Sequence, residues 1–319
     1  MPRKTGLVRS VNNSWVSGLS LGAGNSWDVV ATVKADKAYV EKFIAVYRSL
    51  GASRIFIFYD DPACCFSFDG EDLVQTICDN AYWEGRRPGA VEKRQMHNAT
   101  KAALASSSDW ILHCDIDEHL YSQHRISEVL AKVPDACGCY TALPAEALFM
   151  DRPKTIDEVF ATPCFKSLRP GWSATSAFWS PLYGDLMELS IAGFWGHRVG
   201  KSFIRRSKLA EIATMPIHMP SGAAYTRMNP IKSREVLLRH YDALLPEAWI
   251  TKHTDRAERR VKAVWAGEKR NRLSLLVLET LRTSGEFGTL ALYDRMFVIS
   301  EETLENGLKA GTLAVLDIK

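Results

Sequence analysis

The chain has 319 residues, enough for one large domain or two ordinary ones with a substantial core. Hydrophobic residues make up 46% and charged residues 24%, which excludes a disordered, collagen-like or coiled-coil protein. With 40 Lys and Arg against 37 Asp and Glu the formal charge is only +3, too little to mark a nucleic-acid binder.

Residues 1–26 are rich in Ser, Gly and Asn and show no periodicity, so they read as a flexible arm. Arg3, Lys4 and Arg9 are not followed by an apolar run of the secretory kind, so a cytoplasmic location is the expectation. No stretch reaches the roughly 18 apolar residues of a membrane span. The greasiest one, Leu275 to Leu281, is interrupted by Glu279. The seven cysteines lack the pairing of a zinc site and are expected to be reduced and structural.

From Trp27 a strand–helix rhythm begins. Asp28 to Lys34 reads as a strand. In Lys37 to Leu50 the residues Tyr39, Phe43, Val46, Tyr47 and Leu50 share one helical face, and Gly51 stops the helix. Ser53 to Tyr59 reads as a second strand, Gly70 to Ala81 and Arg94 to Ala105 as helices, Trp110 to Cys114 and Gly138 to Leu143 as further strands. Prolines and glycines then punctuate residues 150–225, with Lys201 to Arg205 as one more strand. Helical pattern returns over Ile231 to Leu245, Glu247 to Trp265 and Glu268 to Thr283. The expected class is α/β: a mainly parallel sheet flanked by helices over 27–225, and a helical C-terminal region over 226–319.

Ligands of such sheets sit beyond the carboxyl ends of the strands. Three acidic ends fall there: Lys34 and Asp36, then Asp60 and Asp61, then Asp115, Asp117 and Glu118. The sharpest is the apolar strand running into Asp115-Ile116-Asp117, whose carboxylates suit Mg²⁺ or Mn²⁺ carrying a diphosphate. A capped turn would use the same residues. Haloacid-dehalogenase-like phosphatases also carry Asp-x-Asp, but on their first strand and followed by a Gly-Thr-type turn, where this chain has Glu118-His119 on its third.

The segment Val30 to Asp61, WILHCDIDEHL at Trp110 to Leu120, GKSFIR at Gly200 to Arg205, IHMP at Ile217 to Pro220 and His240-Tyr241 resemble the motif succession of family 2-like glycosyltransferases of GT-A fold. The likeness spans residues 28–255 and is greatest to the bacterial group related to family 92 glycosyltransferases. It implies a metal-dependent hexosyltransferase-type enzyme moving a sugar from a nucleoside-diphosphate donor to a saccharide or other hydroxyl acceptor. Position by position, it implies that Lys34, Asp36, Asp60 and Asp61 hold base and ribose, although Ala35 replaces the family's Asn. Asp115 would face ribose and metal, and Asp117 would bind metal. The downstream ligand would be His218, with His240 as the alternative.

Lys201, Arg205 and Lys252 are candidates to neutralise the leaving diphosphate, and Glu146, Asp185 and Glu188 to deprotonate an acceptor. Residues 252–272 hold eight Lys and Arg against three acids, a solvated face or one that meets an anionic membrane or acidic acceptor. Tryptophans of the 172–195 stretch belong to the core or stack on a sugar. The same motifs also fit a catalytically inactive nucleotide- or carbohydrate-binding module.

Overall fold

The computed structural model describes residues 25–258 and 267–317. Nearly all of the expected N-terminal arm, and the part of the expected 247–265 helix that carries Arg259, Arg260 and Lys262, lie outside the described residues.

The elements run β1 (Trp27–Val33), α1 (Lys37–Ser49), β2 (Arg54–Tyr59), β3 (Leu73–Ile77), α2 (Asn80–Trp83), α3 (Val91–Ala105), β4 (Trp110–His113), β5 (Glu118–Ser122), α4 (Ile126–Ala131), β6 (Cys139–Leu148), α5 (Ile156–Ala161) and β7 (Cys164–Lys166). They continue with α6 (Trp172–Tyr183), β8 (Lys201–Arg205), α7 (Gly222–Met228), β9 (Ile231–His240), α8 (Pro246–Ala257), α9 (Glu268–Phe297), α10 (Glu301–Ala310) and β10 (Leu313–Val315).

One sheet holds them in the order β10-β7-β6-β8-β4-β1-β2-β3, with β9 pairing β5 and β6. The first half, β3-β2-β1-β4, is wholly parallel. Strand β8 enters antiparallel between β4 and β6. The alternation of β1 explains the layering. Val29, Ala31 and Val33 face Val40, Phe43 and Tyr47 of α1, whereas Val30 faces Ala99, Ala102 and Ala103 of α3. A third core under the second half joins Trp179, Trp195 and Tyr241 to Trp249 of α8 and Leu273, Tyr293 and Phe297 of α9. The expected α/β sheet with flanking helices and a helical C-terminal region is present. No helix among the described residues is long and apolar enough to cross a membrane. All seven cysteines are free thiols, five of them buried.

Two segments expected as helices are strands. Residues 73–77 form β3 because the open edge of β2 offers them a parallel partner from Ile55 to Tyr59. Residues 231–240 form β9 because β5 and β6 hydrogen-bond both of its edges, a tertiary contribution that overrides weak local preference. The sheet therefore continues past residue 225. The helical pattern from Glu268 extends to Phe297 and is interrupted at Gly285, whose φ is 64°. Gly200 also has positive φ, and a Cβ there would lie 2.0 Å from the carbonyl oxygen of Ala142, so the turn into β8 requires glycine.

Candidate functional site

The carboxyl ends of β4 and β9 meet at one cavity of about 280 Å³. Beyond β4 the chain turns tightly: Glu118 N donates to the Asp115 carbonyl at 3.1 Å, and Asp115 N donates to Glu118 Oε2 at 2.8 Å. Asp115 then accepts from Gln95 of α3 at 2.7 Å and from Lys201 of β8 at 2.8 Å. Lys201 is fully buried and lies 3.3 Å from Glu118 as well. Burial opposes the lysine's charge, but Asp115 and Glu118 outweigh it and hold its pKa above the ordinary value. Burial likewise opposes ionisation of Asp115, and Lys201 reverses this, keeping its carboxyl well below the usual range.

Three imidazoles gather beside this pair. His197, in the loop before β8, meets Glu118 Oε1 through Nε2 at 2.7 Å. Its ring centroid is 4.0 Å from that of His218 and 5.0 Å from that of His240. Burial pushes Glu118 up to about 7 and His197 down to about 3, so the buried site disfavours the charged form of each. Burial also lowers His218 and His240, leaving neutral imidazoles, the form that binds metals. The Nδ1 atoms of His197 and His218 are buried and have no hydrogen-bond partner among the described residues.

The loop that presents His197 hangs on a buried ion pair. Glu146 of β6 accepts from Trp195 N at 2.9 Å and Gly196 N at 2.7 Å, and Lys166 of β7 holds Glu146 at 2.7 Å with neither side chain exposed beyond 1%. Trp179, Tyr183 and Trp195 face the Lys166 ammonium at 5.0 to 5.2 Å, a cation–π cage. Gly196 passes against His240: a Cβ there would lie 2.3 Å from the imidazole Cε1.

Lys252 of α8 also lines the cavity and bridges Asp117 at 3.2 Å and Asp242 at 2.9 Å. Burial opposes ionisation of Asp242, and Lys252 is foremost among the cations that hold it well below the carboxylate range. Ligand atoms of Asp117, His240 and Asp242 lie within 4.8 Å of one another, as do those of Glu118, His197 and His240. The two groups share His240. All three members of the first line the cavity, whereas Glu118 does not line it and is already satisfied by His197, Lys201 and Asp115 N. Two carboxylates and a neutral imidazole suit Mn²⁺, and Mg²⁺ less well. Arg256 and Arg270 line the cavity beside Lys252.

Of the residues expected from sequence, Asp115, Asp117, His218, His240 and Lys252 line this cavity, and Lys201 holds Asp115 beneath it. His218 lies outside both converging groups, and His240 belongs to each. Arg205 lies elsewhere. Because β8 runs antiparallel to β4, Lys201 lies at the rim, and Arg205, about 13 Å along the strand, emerges at the opposite edge, stacked over Trp110 and bonded to the Val133 and Cys137 carbonyls. There it borders a separate hollow of about 430 Å³ with Ala103 and Asp109. Glu146 is buried in its pair with Lys166. Asp185 is exposed and paired with Arg295, and Glu188 is exposed and 3.3 Å from Arg272. None of these three lines the cavity. Lys34 pairs with Asp61 at 3.2 Å on the surface, Asp36 precedes α1 without a side-chain cap bond, and Asp60 is clamped by Arg94 and Arg87. Trp179 and Trp195 are buried and Trp172 is exposed.

Sequence reasoning missed Gln95, His197, Asp242, Arg256 and Arg270 as cavity residues. His197 stands four residues before Lys201, and Asp242 two after His240. Each was legible as a polar neighbour of a motif residue, but only the antiparallel β8 and the placement of β9 bring them to the β4 rim.

No family model matches the chain, and no curated protein matches it. Among solved structures it is similar to a mycobacterial protein at 14% identity, covering 61% of this chain and 58% of that one with a TM-score of 0.30. It is similar to GalNAc-T7, solved with UDP, GalNAc and Mn²⁺, at 9% identity, covering 91% and 58% with a TM-score of 0.37. It is also similar to residues 1–349 of TarS from S. aureus at 11% identity, covering 82% and 72% with a TM-score of 0.34. The chain thus matches over 58% of the length of each of the first two. The functional reading stands on the geometry of the cavity.

Proposed function

We propose that the protein is a metal-dependent glycosyltransferase that takes a sugar from a nucleoside-diphosphate donor to a hydroxyl acceptor. One observation carries this reading: a strand-end cavity whose lining joins an acidic, imidazole-bearing group, Asp117, His240 and Asp242, to a group of cations from the helices, Lys252, Arg256 and Arg270. The acidic group fits Mn²⁺ or Mg²⁺, and the cationic group fits a diphosphate. A divalent ion bound there supplies charge neutralisation for the leaving diphosphate. The chain's own part is to orient. Lys201 and Gln95 fix the Asp115 carboxylate at the strand end, Glu118 fixes His197, and Arg256 and Arg270 offer guanidinium forks to phosphate oxygens. His218, on the same wall as His197, is proposed to face the donor.

A thermal-shift screen of UDP, GDP, ADP and CDP with and without Mn²⁺ tests the reading, since a ligand bound only by the folded state raises the melting temperature. A metal-dependent rise with one base is expected, and no rise with any pair would refute it. One observation favours the alternative of an inactive binding module: Glu146, Asp185 and Glu188 all lie off the cavity, so none is placed to deprotonate an acceptor there. Metal-dependent release of nucleotide from a donor sugar separates the two.

A further inference from the structure

The Lys252 ammonium sits on the carboxylates a divalent ion would use. Its Nζ is 3.2 Å from Asp117 Oδ2 and 2.9 Å from Asp242 Oδ1, and these two residues with His240 are the converging ligand group that lines the cavity. A cation cannot take both carboxylates while the ammonium keeps them, because like charges at such separation repel strongly where water is scarce. The imidazole is different: His240 is 5% exposed, and its ring makes no hydrogen bond to any described residue. The ligand set therefore has its nitrogen arm open and its two oxygen arms occupied.

The same side chain has somewhere to go. Lys252 is on α8, one turn before Arg256, and both line the cavity with Arg270. Neither guanidinium forms a hydrogen bond or ion pair with another described residue, so their donors are open to an anion that enters the cavity. A diphosphate entering there would be a better partner for Lys252 than carboxylates about to be shared with a metal, and a four-carbon stem lets the ammonium swing by a few ångström without moving the helix.

We propose that Lys252 is an internal counter-ion that occupies the Asp117–Asp242 carboxylate pair in the ligand-free protein and yields it to a divalent cation when a diphosphate draws the ammonium toward the two guanidinium groups. The cavity then binds metal and nucleotide as a coupled pair and resists metal alone. This rests on the proposed donor and metal reading, and deepens it by assigning the coupling between the two ligands to one side chain.

The test is a set of Mn²⁺ titrations followed by electron paramagnetic resonance of the free ion, with the full chain, in the absence and presence of UDP, GDP, ADP or CDP. Wild-type protein should bind Mn²⁺ about tenfold more tightly with its nucleotide than without, within the usual range of coupling between sites. Lys252→Met should tighten binding of Mn²⁺ alone by about tenfold and shrink the coupling toward one. Lys252→Arg, which keeps the charge, should keep weak binding of the metal alone. Because loss of the ammonium leaves two carboxylates close together, Lys252→Gln, which retains a hydrogen-bond donor, is the second neutral variant and should behave like the Met variant. Circular dichroism checks that each is folded. If the neutral variants bind Mn²⁺ alone no better than wild type while wild type still shows the coupling, this proposal is overturned and the metal reading survives. If no form binds Mn²⁺ under any condition, both fall.

Discussion

Asp60, following β2, and Asp117, just past β4, leave the sheet at the same rim, yet their surroundings differ in kind. Asp60 is 5% exposed and receives both forks of Arg94 at 2.8 Å and a third contact from Arg87 at 3.1 Å. Its oxygens are spent on pinning the start of α3 to the sheet. Asp117 meets one lysine that it shares with Asp242, beside an imidazole that bonds to none of the described residues, at a cavity. An acid at a strand end is therefore not yet a site. The number and permanence of its partners decide, and arginine's bidentate fork makes a permanent partner where a shared lysine does not.

The largest expected effect concerns the ammonium that underlies the β4 side. Lys201→Met leaves Asp115 and the buried Glu118 without their cation, and removal of one member of a buried ion pair costs about 4 kcal/mol. Urea denaturation would measure it, and a loss below about 1 kcal/mol, the worth of an exposed pair, would show the cluster to be solvated after all.

Asp60→Ala should cost about 3 kcal/mol by stranding Arg94 and Arg87, with Mn²⁺ affinity unchanged. Asp117→Ala should do the reverse, lowering Mn²⁺ affinity about 100-fold with a melting temperature close to wild type. Should Asp60→Ala weaken metal binding as strongly as Asp117→Ala, the contrast between the two acids would be wrong.

How far the sequence reveals this contrast depends on the range of the interaction. The parallel β1–β2–β4 unit, α1, α3 and the Asp115-Ile116-Asp117 turn were all legible, because each is written in a contiguous run of apolar period followed by polar punctuation. The clamp on Asp60 was not, since Arg94 lies 34 residues away and looks like any charged residue at the start of a helix. Strand β9 was misread because Ile231 to His240 has few apolar residues and owes its conformation to partners on both edges. Missing it hid Asp242 and the place of His240. The direction of β8 was likewise invisible, and that direction decides why Lys201 reaches the rim and Arg205 does not.

Acid sharpens the comparison, because one buried histidine ends β4 and another sits in α8. Burial pushes His113 down to about 4 and His253 down to about 3. Both fold as neutral groups, so the unfolded chain binds more protons below its ordinary imidazole value of 6.5. Their contribution is intact above that pH and is lost as pH falls toward the folded values, about 2 kcal/mol for the pair over the first unit. Glu118, raised from 4.5 to about 7, works oppositely and loses stability as pH rises. It offsets His197, lowered from 6.5 to about 3, wherever their windows overlap. Metal-free protein should thus unfold more easily at pH 5.5 than at 6.5, and His253→Asn should flatten the slope. A slope unchanged in that variant would mean that His253 is protonated in the fold.

The smallest effect probes the backbone rather than a charge. Gly196 has ordinary φ, so its requirement is space: an added methyl would fall 2.3 Å from Cε1 and 2.4 Å from Nδ1 of His240, and 3.3 Å from Glu146 Oε2. The loop cannot retreat, because Trp195 N and Gly196 N are both fastened to Glu146, which Lys166 pins from behind. The imidazole is the softer partner and must rotate. Gly196→Ala should therefore move His240 out of line with Asp117 and Asp242 and weaken Mn²⁺ binding about tenfold, in the range seen when a ligand's supporting contact is lost. Stability should change little, since the displaced ring turns into the cavity. A parallel Gly200→Ala should instead collide with the Ala142 carbonyl oxygen and cost stability, separating a glycine that shapes the ligand set from one that shapes the chain. Unaltered metal affinity in a folded Gly196→Ala protein would remove His240 from the ligand set and leave Asp117 and Asp242 to the ammonium of Lys252.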